Sequence, residues 1–168
     1  MQEVRKIDMA VQQLEDALRA YFDGRHHSAL VLAAAAEQLF AGYIHLHEIK
    51  PAFSSMRTAI VKIANGLKVR SGGDFKQTTE KDIGDLLNHA YNHSHHAGKT
   101  ELEVQMNPKF EAQETIDRAI SNFDSLMFKY DLAEIPLAQR FVMESRDETT
   151  MEADVEDVLS AVITQSDA

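Results

Sequence analysis

The sequence predicts an all-α protein: an up-and-down helical bundle of about five main helices plus a short C-terminal acidic helix. Two observations carry that prediction. Apolar residues recur every three or four positions along most of the chain, and residues suited to ending and starting helices fall between the periodic stretches. Nowhere do strand-like runs alternate with helical ones, and there is no internal repeat. At 168 residues the chain has the length of one domain and needs no metal or disulfide to support its core. Residues 1–132 read as the bundle, and 133–168 as an acidic extension that is helical and docked.

Val4, Ile7, Val11, Leu14, Leu18 and Tyr21 form one stripe of an amphipathic helix. Gly24 ends it, since glycine tolerates the left-handed conformation of a helix C-terminus. Ser28 is placed to cap a second helix, Leu30 to Ile49, which is apolar on several sides and therefore central. Its alanine run, Ala33 to Ala36, lets neighbours approach closely. Glu37 lies in that run, where a buried carboxylate requires a partner. Met56, Ile60, Ile63 and Leu67 give a third, shorter helix ending near Asn65-Gly66. Ser71-Gly72-Gly73 reads as a loop.

Thr79 and Asp82 form a capping-box pattern with Asp in the usual Glu or Gln place. They open a fourth helix running to about Ala97. Leu102, Val104 and Met106 alternate with polar residues and read as extended. Asn107-Pro108 is an N-cap and first-turn pair for a fifth helix through Phe110, Ile116, Ala119, Ile120, Phe123, Met127 and Tyr130. A short helix follows Pro136. An acidic one, Met151 to Ile163, keeps the stripe Met151, Val155, Val158, Leu159 and Val162 and is expected to dock on a neighbour.

Composition excludes several classes. With no Cys, disulfide scaffolds and thiolate zinc sites are ruled out. The longest apolar run, Ala29 to Ala36, is far short of the ~18–20 residues of a membrane span. The Met1 end shows no basic segment followed by an apolar one, so no signal peptide is read and a cytoplasmic location is expected. Formal charge is −10, and Glu144 to Ala168 contribute eight acids against Arg146 alone. No Lys/Arg run suggests a duplex-DNA footprint, which depends on neutralising several phosphates together. No cofactor is expected.

Four of the eight histidines lie between His89 and His96. At ~100° per residue, Asp85, His89, His93 and His96 share one helical stripe, with Asn88, Asn92 and His95 on a second polar strip. Histidines on a helix flank are commonly solvated. A metal reading uses His89, His93 and His96, with His45, His47 or Glu48 completing the set. The stripe lacks the Glu of a two-histidine zinc motif. Imidazoles also suit acid–base chemistry near neutral pH.

The arrangement resembles the HEPN superfamily of small helical domains found in toxin–antitoxin and phage-defence systems. The likeness covers about Val11 to Tyr130 and rests on three features. These are a glycine turn leading into a small-residue helix with an interior acid (YFDGRHHSALVLAAAAEQLF, Glu37), a polar helix carrying YNHSHH, and a closing helix ETIDRAISNFDSLM. The resemblance implies a homodimer whose paired motifs act on RNA without metal. It puts Asn92 at the motif's polar position and His96 at its histidine. Tyr91 stands where the motif has Arg. Arg would supply a permanent, bidentate charge to phosphate oxygens, whereas a Tyr hydroxyl donates one neutral hydrogen bond. Loss of such a group typically costs ~10²–10³ in rate.

The expected function is accordingly that of a HEPN-like dimeric module binding RNA or a partner protein. His96, Asn92 and Tyr91 form its central set, and His89, His93 and His95 its surrounding binding groups. The alternatives are a metal-independent endoribonuclease using His96 and a metal-binding protein using His89, His93 and His96.

Overall fold

The computed structural model describes residues 3–71, 76–89, 91–92 and 103–147, and these contain helices and no strand. α1 spans Lys6–Phe22 and buries Ile7, Leu14 and Leu18 of the expected stripe. Val4 precedes the helix and is exposed, so it lies outside that stripe. Gly24, at φ +75°, donates its N–H to the Tyr21 carbonyl (3.0 Å), and Arg25 donates to Ala20 (2.8 Å). This paired closure of the last turn is a Schellman motif, and glycine adopts its left-handed residue without a Cβ clash. Because the reversal is so short, α2 (His26–His45) begins at once. Ser28 therefore sits inside its first turn rather than capping it, and Arg25 occupies the cap without a side-chain bond.

α3 (Ala52–Ser71) runs through Asn65-Gly66, where the sequence pattern had suggested a stop. The reason lies in the Asn65 side chain. Its amide accepts from the Thr78 N–H (2.8 Å) and donates to the Thr78 carbonyl (2.9 Å), holding the approach to α4 against α3. A residue that often ends helices here serves a tertiary contact instead.

α4 (Glu80–Leu87) opens with the expected capping box. Thr79 Oγ1 accepts from the Asp82 N–H (3.2 Å) and Asp82 Oδ2 accepts from the Thr79 N–H (2.8 Å). It stops at Leu87 rather than near Ala97. Asn88, at φ −98° and ψ 3°, leaves the helix. Helical backbone resumes at His89 and at Tyr91 and Asn92. Residues 103–107 have no regular structure.

α5 (Pro108–Tyr130) starts as expected, with Asn107 Oδ1 accepting from the Phe110 N–H (3.2 Å), and ends at Asp131 in the left-handed conformation. α6 (Pro136–Asp147) follows Pro136. The proposed acidic helix 151–163 lies outside the described residues.

One large core joins α1, α2, α5 and the start of α6 through Leu14, Leu18, Leu30, Phe40, Ile116, Phe123 and Phe141. Along the α2–α5 seam, Glu37 meets Arg118, Phe40 meets Phe123 and Tyr43 meets Tyr130. The two helices therefore run parallel, and the chain between them must cross back, which simple up-and-down order would not require. That return path contains α3 and α4. They pack on each other around a second, small core of Ala64 and Ile83, flanked by Ile60, Val61, Leu86 and Leu87.

Candidate functional site

A cleft of about 220 Å³ opens where the return path meets the main bundle. Its sides come from Glu37, Gln38 and His45 of α2, Phe53 and Ser54 of α3, Thr115 and Arg118 of α5, and Asn88 and Tyr91 beyond α4.

The local sequence accounts for this geometry. Ala33, Ala34 and Ala36 keep α2 thin, so α1 and α5 close on it and Glu37 is only 8% exposed. On α5, Thr115, Arg118 and Asn122 recur at three and four residues, a polar seam beside the apolar row Ile116, Ala119, Ile120 and Phe123. All three seam residues are buried.

Arg118 is 7% exposed, and its Nε lies 3.3 Å from both Glu37 oxygens. Nη2 donates to Thr115 Oγ1 (3.1 Å), and the Thr115 hydroxyl donates to the Glu111 carbonyl (2.8 Å). The guanidinium carbon stands 5.4 Å from the Phe53 ring centroid, a cation–π contact that fixes its plane. Asn122 Oδ1 accepts from the Ala52 N–H (2.9 Å) and so anchors the start of α3 beside the pair.

Burial pushes the Glu37 carboxyl above its ordinary range, while the charge and hydrogen bond of Arg118 pull it back. Burial also raises Glu111, again opposed by Arg118. The floor of the cleft is thus a paired, nearly dry carboxylate and guanidinium. Around it stand hydrogen-bonding groups of both kinds from Gln38, Ser54 and Asn88, together with the Tyr91 ring. A volume of 220 Å³ is below the ~300–1,000 Å³ of pockets for drug-sized ligands. The cleft has room for a small group rather than a whole cofactor.

Of the residues singled out from sequence, Tyr91 is half-buried, lines the cleft and packs on the main core. Asn92 is exposed and outside the lining. Its N–H donates to the Asn88 carbonyl (2.8 Å). Asn88, three residues before Tyr91, also lines the cleft. His89 is exposed. Because α4 ends at Leu87, Asp85 and His89 do not share one continuous helical stripe. His93, His95 and His96 lie outside the described residues.

For the metal reading, His45 lines the cleft and His47 Nε2 lies 2.9 Å from the Tyr130 hydroxyl. Among the described residues no three His, Asp or Glu side chains are grouped to hold an ion, and no helix is long and apolar enough to cross a membrane. Arg118, Thr115 and Phe53 were not identified from sequence. The spacing of Thr115, Arg118 and Asn122 within an otherwise apolar helix was the available signal.

No family model, curated protein or solved structure matches the chain.

Proposed function

We propose that this chain is a HEPN-like helical binding module, acting as a homodimer, that takes single-stranded RNA into the cleft between α2, α3 and α5. One observation carries the reading. The three sequence features of the HEPN resemblance are far apart in the chain, yet a residue from each lines this cleft: Glu37, Tyr91 and Arg118. Single-stranded RNA is commonly recognised through unstacked bases set against aromatic or guanidinium planes and hydrogen-bonded at their edges. The cleft supplies an aromatic side chain at Tyr91 and hydrogen-bonding groups at Gln38, Ser54 and Asn88 in a volume of about 220 Å³.

Fluorescence anisotropy with a labelled single-stranded RNA tests this. Gln38→Ala and Asn88→Ala at the rim should each weaken binding about tenfold, the value of roughly one hydrogen bond, with unchanged thermal melting. Absence of RNA binding by the unsubstituted chain, or equal affinity in the variants, refutes the reading. Cleavage of that RNA in EDTA, lost in His96→Ala, would make the module an endoribonuclease.

A further inference from the structure

α3 is apolar on two faces, and only one is covered. Ile60, Val61 and Ala64 pack toward Ile83 of α4. Elsewhere on the helix, Ala59, Lys62, Ile63, Gly66, Leu67 and Arg70 follow the three- and four-residue spacing of a single strip, and all are exposed. Ile63 is 49% and Leu67 39% exposed, and neighbouring Val69 reaches 80%. A Cβ placed on Gly66 would meet nothing within 4 Å, so the middle of the strip is open for close approach.

The strip is also positive. α3 carries Arg57, Lys62, Lys68 and Arg70 and no carboxylate. Arg57 is paired with Glu80 (2.9 Å), and Lys68 donates to the Lys76 carbonyl (3.0 Å). Lys62 and Arg70 have no ion-pair partner among the described residues.

The chain contains a segment of complementary chemistry. Beyond the end of α6 at Asp147, residues 148–168 hold Glu148, Glu152, Asp154, Glu156, Asp157 and Asp167 and no Lys or Arg. Their apolar residues Met151, Val155, Val158, Leu159 and Val162 keep helical spacing. Held as a helix, residues 151–163 span about 20 Å, and the extended residues 148–150 add about 10 Å, a combined reach close to the ~35 Å length of α5. A symmetric contact between two α3 strips would set Lys62 and Arg70 against like charges. A nucleic-acid backbone would satisfy the charges but leave the apolar row uncovered.

We propose that residues 148–168 dock on the outer strip of α3 in the same chain, with their apolar residues over Ile63, Gly66 and Leu67 and their carboxylates against Lys62 and Arg70. The docked segment shields both the apolar row and the positive charge of α3. This inference does not depend on RNA binding in the cleft.

Zero-length carbodiimide coupling of the full-length chain, read by mass spectrometry on an equimolar mixture of light and ¹⁵N-labelled protein, tests it. The expected product joins the Lys62 amine to Glu152, Asp154, Glu156 or Asp157 within one isotopic species. Its yield should fall at least fivefold in Ile63→Asp/Leu67→Asp and equally in Val155→Asp/Leu159→Asp, so misfolding of one variant leaves the other as a test. No Lys62 product, undiminished yield in both variants, or mixed light–heavy products making up about half of the total after the mixture is unfolded and refolded together, as random pairing between chains gives, overturns the proposal. The last outcome would make the occupant a second copy's segment.

Discussion

The two packing regions of this molecule differ in what holds them. α1, α2, α5 and α6 share a core of large, fully buried side chains, including Phe40, Leu14, Leu18, Ile116 and Phe141. In the α3–α4 pair only Ala64 and Ile83 are buried to that degree within the small core. What binds it is largely polar: Asn65 to Thr78, and Arg57 and Thr58 to Glu80. Apolar burial contributes roughly 25 cal/mol per Å², whereas exposed polar pairs contribute little. The contrast assigns global stability to the first region and easier local opening to the second. The cleft lies between them, with a rigid floor on α2 and α5 and a more readily displaced wall on α3.

The largest test of that contrast is Phe40→Ala, which should cost about 3–5 kcal/mol in chemical denaturation and lower the stability of both regions together. A smaller loss would mean that the main core does not govern folding. Arg118→Met should cost a similar ~3–5 kcal/mol by leaving Glu37 buried and unpaired, whereas the double variant Glu37→Leu/Arg118→Met should recover most of it. The pH dependence has a definite sign. A carboxyl raised above its ordinary value near 4.5 in the folded state contributes stability that is present below that value and lost as pH rises through its folded value. Removing Arg118 raises Glu37 further, so the gap between Arg118→Met and the unsubstituted protein should be small at pH 4 and widen toward pH 7. A constant gap contradicts the role given to this pair.

Asn65→Ala sharpens the comparison at the weaker region. It should cost about 1–3 kcal/mol, since the backbone of the buried Thr78 loses its partner. Hydrogen exchange should rise across α3 and α4 while α1, α2 and α5 stay protected. The smallest effect belongs to Arg140→Ala. It removes a half-exposed pair to Glu144 and a stack on Phe22, and should lower stability by about 0.5–1 kcal/mol.

The elements most legible in the sequence were those governed by local rules. Gly24, the Thr79–Asp82 box and Asn107-Pro108 act within a few residues of themselves, and each sits at the helix end its pattern implied. Asn65-Gly66 misled because the Asn65 side chain bonds Thr78, thirteen residues away, and local propensity carries no record of that contact. Likewise, the need for a partner at Glu37 was legible, but Arg118 lies 81 residues further on.

The claim that the cleft is the binding site is tested most directly by hydrogen exchange of the full-length chain with and without a saturating single-stranded RNA. Protection should concentrate in the segments lining the cleft: residues 34–54, 88–92 and 115–118. Protection confined to other surfaces, or none at saturation, would contradict it.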